Sequence, residues 1–234
     1  MSGETIAFIF ARGGSSMAGK NLRPLLGRSL LARAVSAAKA VGRIDRVVVS
    51  TDDAAIAQAA QEAGAEVPFR RPAELATDHA PEWLAWRHAI QWARSGGANF
   101  TRFVSVPTTA PLREPGDIAR CLDAFETGLW DVVLTVRPAE RSPYFNMVHL
   151  DSAGAAHLAT KPDRPIAGRQ GAPVLYDVTT VAYVAAPEFV MRADAIFAGR
   201  VGAVIVPKER AIDIDDEWDL AAAEAYLRRM ETTR

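Results

Sequence analysis

The sequence predicts an α/β fold in which a mostly parallel sheet carries helices on both faces. Two observations point there. Short apolar or β-branched runs, TIAFIF at 5–10, RVVVS at 46–50, TRFVSV at 101–106 and DVVLTV at 131–136, alternate with helix-like stretches, and the alternation is repeated four times. Apolar residues make up 49% of 234 residues, enough to fill the core of one large domain. No linker divides the chain, so residues 1–234 are read as a single domain.

The first run is short and apolar and ends in Ala-Arg-Gly-Gly, which reads as a buried strand feeding a glycine-rich loop. Residues 29–41 read as a helix with Ser29 as N-cap and Gly42 just past its end. RVVVS is a second buried strand, after which Asp52 or Asp53 caps the helix AAIAQAAQEA and Gly64 stops it. A third short strand is expected at 65–69 and a helix at 81–94 with Pro81 near its first turn. The strand at 101–106 leads to a helix near 115–127 and a strand at 131–136.

Residues 137–187 break the pattern. They are rich in Pro and Gly, with strand-like pieces at 144–150 and 177–185, and read as a β-rich arm leaving the main sheet. The core resumes with a helix near 188–197, a strand at 201–206 and a C-terminal helix from about 216 to 230. In open parallel sheets ligands bind beyond the carboxyl ends of the strands. The loops after Phe10, Ser50 and Val106 are therefore the expected walls of a site.

Composition excludes several classes. A net charge of −1, from 27 basic and 28 acidic residues, offers no global field for nucleic acid or an anionic membrane, so an anionic ligand must be held by local charges. Cys121 is the single cysteine, which excludes an intramolecular disulfide and a cysteine metal site. No apolar stretch reaches the ~20 residues of a membrane span, and the N-terminal residues lack a signal-peptide pattern, so a cytoplasmic protein is expected. Trp83, Trp86 and Trp92 share a helix and are expected in the core or a dimer contact; the four histidines show no ligand spacing.

Two segments carry chemistry. In the first, Ala11-Arg12-Gly13-Gly14-Ser15-Ser16-Met17-Ala18-Gly19-Lys20-Asn21, glycines let backbone N–H groups approach phosphate oxygens while Arg12 and Lys20 add positive charge. A surface turn is the plain alternative. Gly14 to Lys20 also matches the start of a P-loop, but Asn21 stands where Ser or Thr would hold a metal, and Pro24 and Gly27 interrupt any following helix. The second segment is Asp213-Ile214-Asp215. Residues i and i+2 of an extended strand point the same way, so two carboxylates converge and suit Mg²⁺, which is commonly held by one or two carboxylates plus phosphate. Helix capping by Asp215 or Asp216 is the competing use.

With these in hand the sequence resembles the CMP-sugar synthetases, which activate sialic acid, related nonulosonic acids and Kdo with CTP. The resemblance rests on ARGGSS…GKNLRPLLGRSLL, on residues 46–78 with RRPAEL, and on PTTAPLR at 107–113. RSPYFNMV at 141–148, Arg169-Gln170 and AIDIDDEWDL at 211–220 complete it, covering nearly the whole chain in order. It implies a Rossmann-like sheet, a homodimer joined partly through the arm, Mg²⁺, and attack of a sugar hydroxyl on the α-phosphate of CTP. By position, Ala11, Arg12, Gly13, Gly14, Ser15, Lys20, Asn21, Arg71, Asp78, Thr108 and Thr109 would line the nucleotide site. Arg12, Lys20, Asp213 and Asp215 would carry the chemistry, and Arg169, Gln170, Tyr176 and Thr179 would hold the acidic sugar.

The sequence departs from the family pattern in two places. Ser16 stands where a basic residue is common, in a loop one residue shorter, and the glutamine usual before Pro-Thr is absent ahead of Thr108. The second departure points away from sialic acid itself, while PYFNMV and YDVTTVAYV look like relatives that handle bacterial nonulosonates such as legionaminic acid. A Kdo-type enzyme, and a catalytically silent dimeric sugar-nucleotide binder, are the alternatives.

Overall fold

The computed structural model describes residues 3–14, 17, 19–162, 164, 166 and 168–232. In chain order the strands are β1 (Glu4–Phe10), β2 (Pro24–Leu25), β3 (Arg28–Ser29), β4 (Arg46–Ser50), β5 (Phe100–Ser105), β6 (Val132–Pro138), β7 (Val148–Leu150), β8 (Ala156–Leu158), β9 (Tyr176–Ala185) and β10 (Val201–Ile205). The helices are α1 (Leu30–Lys39), α2 (Ala54–Glu62), α3 (Glu82–Ser95), α4 (Pro115–Glu126), α5 (Pro187–Arg192) and α6 (Glu217–Thr232).

Six strands form one sheet in the order β10-β6-β9-β5-β1-β4. β1 pairs in parallel with β4 and β5, and β10 in parallel with β6, as the apolar strand runs require. Two apolar layers cover the faces. One packs α1, α2 and α4 through Leu31, Val35, Ile56, Ile118 and Leu122; the other packs α3 and α5 through Trp83, Trp86, Ile90, Phe189 and Val190. Trp83 and Trp86 are thus core residues, as the sequence suggested.

The helix starts follow their side chains. Ser29 Oγ accepts the Ala32 N–H at 3.1 Å, and Asp53 Oδ1 accepts the Ile56 N–H at 2.9 Å, each satisfying a donor the helix leaves open. Gly64 takes φ 83°, a left-handed turn that glycine adopts without a Cβ penalty and that ends the α2 region.

Three expectations need correction. The arm does not extend to residue 187. β9 lies inside the central sheet, antiparallel between β5 and β6, so the excursion lies between Pro138 and Tyr176. Its run YDVTTVAYVA is apolar enough for burial on both faces, and that burial is available only in the sheet. In place of the strand expected at 65–69 there are two isolated parallel bridges, Val48 with Glu66 and, just beyond the range, Thr51 with Arg70, since Pro68 removes a ladder donor. The helix expected at 188–197 is shorter, with a separate 3-10 turn at Ile196–Ala198.

β9 also carries a wide irregularity. Leu134 pairs with Tyr183, yet the next β6 residue, Thr135, pairs with Thr179. The segment between is pushed out of the ladder and held by other groups. Arg113 donates to the carbonyls of Val181 (2.7 Å) and Thr180 (3.0 Å), and Ala182 N–H donates to Thr135 Oγ1 at 3.2 Å. Bulges of this kind re-aim side chains near functional sites.

Candidate active site

The chain runs from β1 to β4 on one side and returns to β5 on the other, so the sheet has its switch point at β1. A cleft opens there beyond the carboxyl ends. Its walls come from Phe10 and Arg12 after β1, Arg71 beyond β4, and Pro107 to Thr109 after β5. Thr180 and Tyr183 of β9 and the Asp213 and Asp215 segment close it. The loops after Phe10 and Val106 are two of the three the strand pattern singled out; the loop after Ser50 does not line the cleft, and Arg71 comes instead from the stretch beyond α2.

The two acidic residues converge as their spacing predicts. Asp213 and Asp215 both line the cleft, while Ile214 between them is fully buried on the opposite side against Leu25, Leu30 and Leu112. The Ile214 N–H donates to the Thr109 carbonyl at 2.8 Å, pinning the segment to the 107–113 loop. Thr180 Oγ1, delivered by the β9 bulge, donates to Asp213 Oδ1 at 3.1 Å and accepts from Thr109 Oγ1 at 3.2 Å. Capping falls to Asp216, whose Oδ1 accepts the N–H groups of Trp218 and Asp219 at 2.8 and 3.0 Å. Asp215 is therefore not the helix cap.

The glycine loop is fastened from below. Ala11 is buried and its N–H donates to the Ser50 carbonyl at 3.1 Å. Gly13 N–H donates to Asp52 Oδ1 at 3.0 Å, and a Cβ at Gly13 would stand 3.0 Å from Asp53 Oδ2. Gly14 has open space around it. Ser15 lies outside the described residues. Asn21 is buried and holds the loop rather than lining the cleft: its Nδ2 donates to the Arg12 carbonyl at 2.9 Å, and Thr108 Oγ1 donates to its Oδ1 at 2.6 Å.

The loop's two cations are each matched to a carboxylate. Arg12 pairs with the exposed Asp78, and the buried Lys20 reaches Asp215 with Nζ 2.9 Å from Oδ1. Arg71 lies beneath them, donating to Ser50 Oγ at 3.1 Å and the Ser50 carbonyl at 2.6 Å, with its guanidinium over the Phe10 ring. Burial lowers the Arg71 pKa to about 10, so it remains a cation near neutral pH.

The arm residues are placed differently. Gln170 is exposed beside Arg169 in a 3-10 turn, Arg169–Gly171, and the Arg169 side chain lies outside the described residues. Tyr176 is exposed at the start of β9. Thr179 is buried, with its hydroxyl donated to Thr135 Oγ1 at 2.7 Å, and borders a second groove with Arg137, Lys208, Asp213 and Tyr226. Among the described residues these positions do not line the cleft of Arg12 and Asp215; Asp213 is the residue the two hollows share.

A family model described as cytidylyltransferase matches residues 6–94, the part of the chain that supplies the glycine loop, Arg71 and Asp78. The CMP-N,N'-diacetyllegionaminic acid synthase of Campylobacter jejuni (serotype O:2) is 30% identical over 226 residues, 96% of this chain and 95% of the relative. The chain belongs to the CMP-sugar synthetase family. It is similar too to the post-translational flagellin modification protein B of Campylobacter coli, 29% identical over 96% of this chain and 95% of that one. A solved CMP:2-keto-3-deoxy-manno-octonic acid synthetase in complex with CTP shares the fold, with a TM-score of 0.69, 16% identity, and coverage of 97% of this chain and 99% of that one.

This synthetase is thus a nucleotidyltransferase with a Rossmann-like sheet. Sequence reasoning missed several of its cleft residues. Glu82 and Tyr183 line the cleft, and burial pushes the Tyr183 phenol up to about 12. The Glu82 carboxyl is also raised, first by desolvation, with the Trp86 indole N–H acting in the opposite direction. It keeps accessible surface toward the cleft while protein atoms crowd its other sides. Its signal in sequence was only the first turn of a helix. Arg113, quoted in the motif PTTAPLR without a role, is buried and builds the bulge that aims Thr180; burial lowers its pKa to about 9.

Among the described residues no group of three His, Cys, Asp or Glu side chains could hold a metal, and no helix is long and apolar enough to cross a membrane.

Proposed function

We propose that this synthetase uses CTP to convert a nonulosonic acid of the legionaminic type to its CMP-sugar with release of pyrophosphate. The observation that carries the reading is the cleft itself: Asp213 and Asp215 face the same space as Arg12, with Lys20 seated behind Asp215. The relatives support the sugar class, since the named CMP-N,N'-diacetyllegionaminic acid synthase aligns over 96% of the chain. The 3-deoxy-manno-octulosonate cytidylyltransferase of Anaeromyxobacter sp. (strain K) aligns over 64% of it.

The reaction needs positioning and charge more than a special base. The sugar's anomeric oxygen attacks the α-phosphorus, the bond from that phosphorus to the bridging oxygen breaks, the electron pair leaves with pyrophosphate, and the sugar hydroxyl gives its proton to solvent water. Arg12 and Lys20 would hold triphosphate oxygens, the N–H groups around Gly14 would approach them, and Thr108, through Asn21, would keep the loop in place. Asp213 and Asp215 suit Mg²⁺, because two carboxylates with no third His, Cys, Asp or Glu beside them among the described residues leave room for phosphate oxygens and water. The ion would neutralise triphosphate charge and lower the pKa of the sugar hydroxyl. Entry of CTP exchanges Asp78 and Asp215 for phosphate as partners of Arg12 and Lys20, which frees Asp215 for the ion.

The sugar would be received from the arm side, where Arg169 and Gln170 suit its carboxylate, Tyr176 is exposed at the start of β9, and Thr179 borders the second groove. A homodimer belongs to this reading. The β7–β8 hairpin exposes Val148, Leu150 and Leu158, and Phe145, Met147 and Val174 are exposed nearby, an apolar surface that a second copy would cover. Residues 1–234 act as one nucleotidyltransferase domain in the cytoplasm, where CTP is made.

A pyrophosphate-release assay with CTP, Mg²⁺ and a panel of legionaminic, pseudaminic, N-acetylneuraminic and 3-deoxy-manno-octulosonic acids tests the reading. Turnover should be fastest with a nonulosonic acid. Turnover with the octulosonic acid alone would replace the substrate, and binding of CTP without turnover of any acid would favour a silent binder.

A further inference from the structure

Glu82 is a cleft carboxyl that the displacement at phosphorus does not use. It is the first residue of α3, and its Oε1 accepts the indole N–H of Trp86, one turn on, at 3.0 Å. Trp86 is itself buried, packed on Phe103 at 4.9 Å and on Tyr183 at 5.6 Å between ring centres, so the carboxyl is held against a rigid aromatic wall. Beside it in the cleft stand Phe10, Arg71, Ala85 and Tyr183. Arg71 is close enough for its charge to act on Glu82, yet the two form no ion pair, because the guanidinium is turned to Ser50.

Of the acidic groups in the cleft, Asp78 and Asp215 pair with Arg12 and Lys20 and Asp213 takes the Thr180 hydroxyl, whereas Glu82 makes no ion pair among the described residues; unpaired, it would repel a triphosphate or a sugar acid and is matched instead by a part of the ligand that donates hydrogen bonds. The flat apolar surroundings suit a nucleobase. A guanidinium and a carboxyl presented together match cytosine, which offers acceptors at O2 and N3 and a donor at its exocyclic amine. Uracil carries an oxygen in place of that amine and would meet the carboxylate with like polarity.

We propose that Glu82 is the specificity residue that reads the exocyclic amine of the cytosine, with Trp86 orienting it. Glu82 keeps exposed surface on the cleft side, so the carboxyl that Trp86 holds through Oε1 can still accept a donor from the ligand. The proposal rests on the reading that the cleft takes CTP, and the experiment separates the two. Binding of CTP, UTP and 2′-deoxy-CTP is measured by calorimetry with Mg²⁺, together with kcat/KM for pyrophosphate release, in the native protein, Glu82→Gln and Glu82→Ala.

The native protein should prefer CTP to UTP, and both variants should lose that preference at least tenfold, with CTP weakened and UTP strengthened in Glu82→Gln, whose amide can donate to the uracil oxygen. An unchanged CTP-to-UTP ratio in both variants overturns the proposal while leaving the CTP reading intact. A change confined to the ratio of CTP to 2′-deoxy-CTP overturns it too, by placing Glu82 on the ribose. A native protein that binds neither nucleotide overturns the CTP reading itself.

Discussion

The cleft and the arm solve opposite problems. In the cleft every charged residue of the glycine loop already has a partner from the same chain: Asp78 for Arg12, Asp215 for Lys20 and Asp52 for the Gly13 N–H. In the arm apolar side chains such as Leu150 and Val174 face outward, while ion pairs tie its roots, Arg137 with Asp177 and Lys208 with Glu140. The cleft is assembled within one chain. The arm exposes the kind of surface that proteins ordinarily bury against something else. The lesson is that nucleotide binding and sugar selection should be separable by mutation.

The largest expected effect lies in the cleft. Asp215→Asn keeps the shape and removes the charge; turnover should fall by about 10²–10³, while the melting temperature stays near that of the native protein because Asp216 caps α6. Activity near the native level at limiting Mg²⁺ would remove Asp215 from the chemistry. Next, Lys20→Ala should cost ~2–4 kcal/mol of kcat/KM if its charge meets the developing charge on phosphate, and titration with CTP shows whether binding weakens alongside. A variant with native affinity and rate would dissolve the assignment of the glycine loop.

A third change addresses the arm. Leu150→Asp puts a charge on the exposed hairpin; in sedimentation at micromolar concentration the native protein should run as a dimer and the variant as a monomer, while CTP affinity holds. A native protein that already sediments as a monomer would break the contrast between the two regions. The smallest effect concerns Glu82. Its folded pKa is raised above the ordinary value of 4.5, so the folded state binds more protons than the unfolded chain through that window. Its contribution to stability is present in full below about pH 4.5 and is lost as pH rises through the raised value. Melting curves across that range should fall less steeply for Glu82→Gln, and parallel curves would show that the carboxyl is not desolvated.

Much of the cleft could be read from the chain because it hangs on strand ends. β1, β4 and β5 are short apolar runs with helix caps close by, so Ser29, Asp53 and the loops after Phe10, Ser50 and Val106 fell where local rules put them. The Asp213 and Asp215 pair was legible because alternation along an extended segment is a local property, and the buried Ile214 confirms it. What local rules cannot supply is pairing over distance. YDVTTVAYVA reads as a strand, but nothing in it says that it enters the sheet antiparallel between β5 and β6. The bulge that aims Thr180 depends on Arg113, whose bonds to Thr180 and Val181 span 67 and 68 residues. Glu82 belongs to the cleft only because α3 packs where it does.

The roots of the arm have a consequence of another kind. Pro138 and Tyr176 are register partners at the end of the β6–β9 ladder, so the two ends of the intervening segment are held together by the sheet itself. The closure entropy of that segment is met by pairing that exists for other reasons, and doubling its length would add only ~0.6 kcal/mol. The synthetase is therefore built as a fixed socket with an exchangeable attachment. Residues 139–175 can lengthen or shorten while the strands that hold Thr180 against Asp213 keep their register.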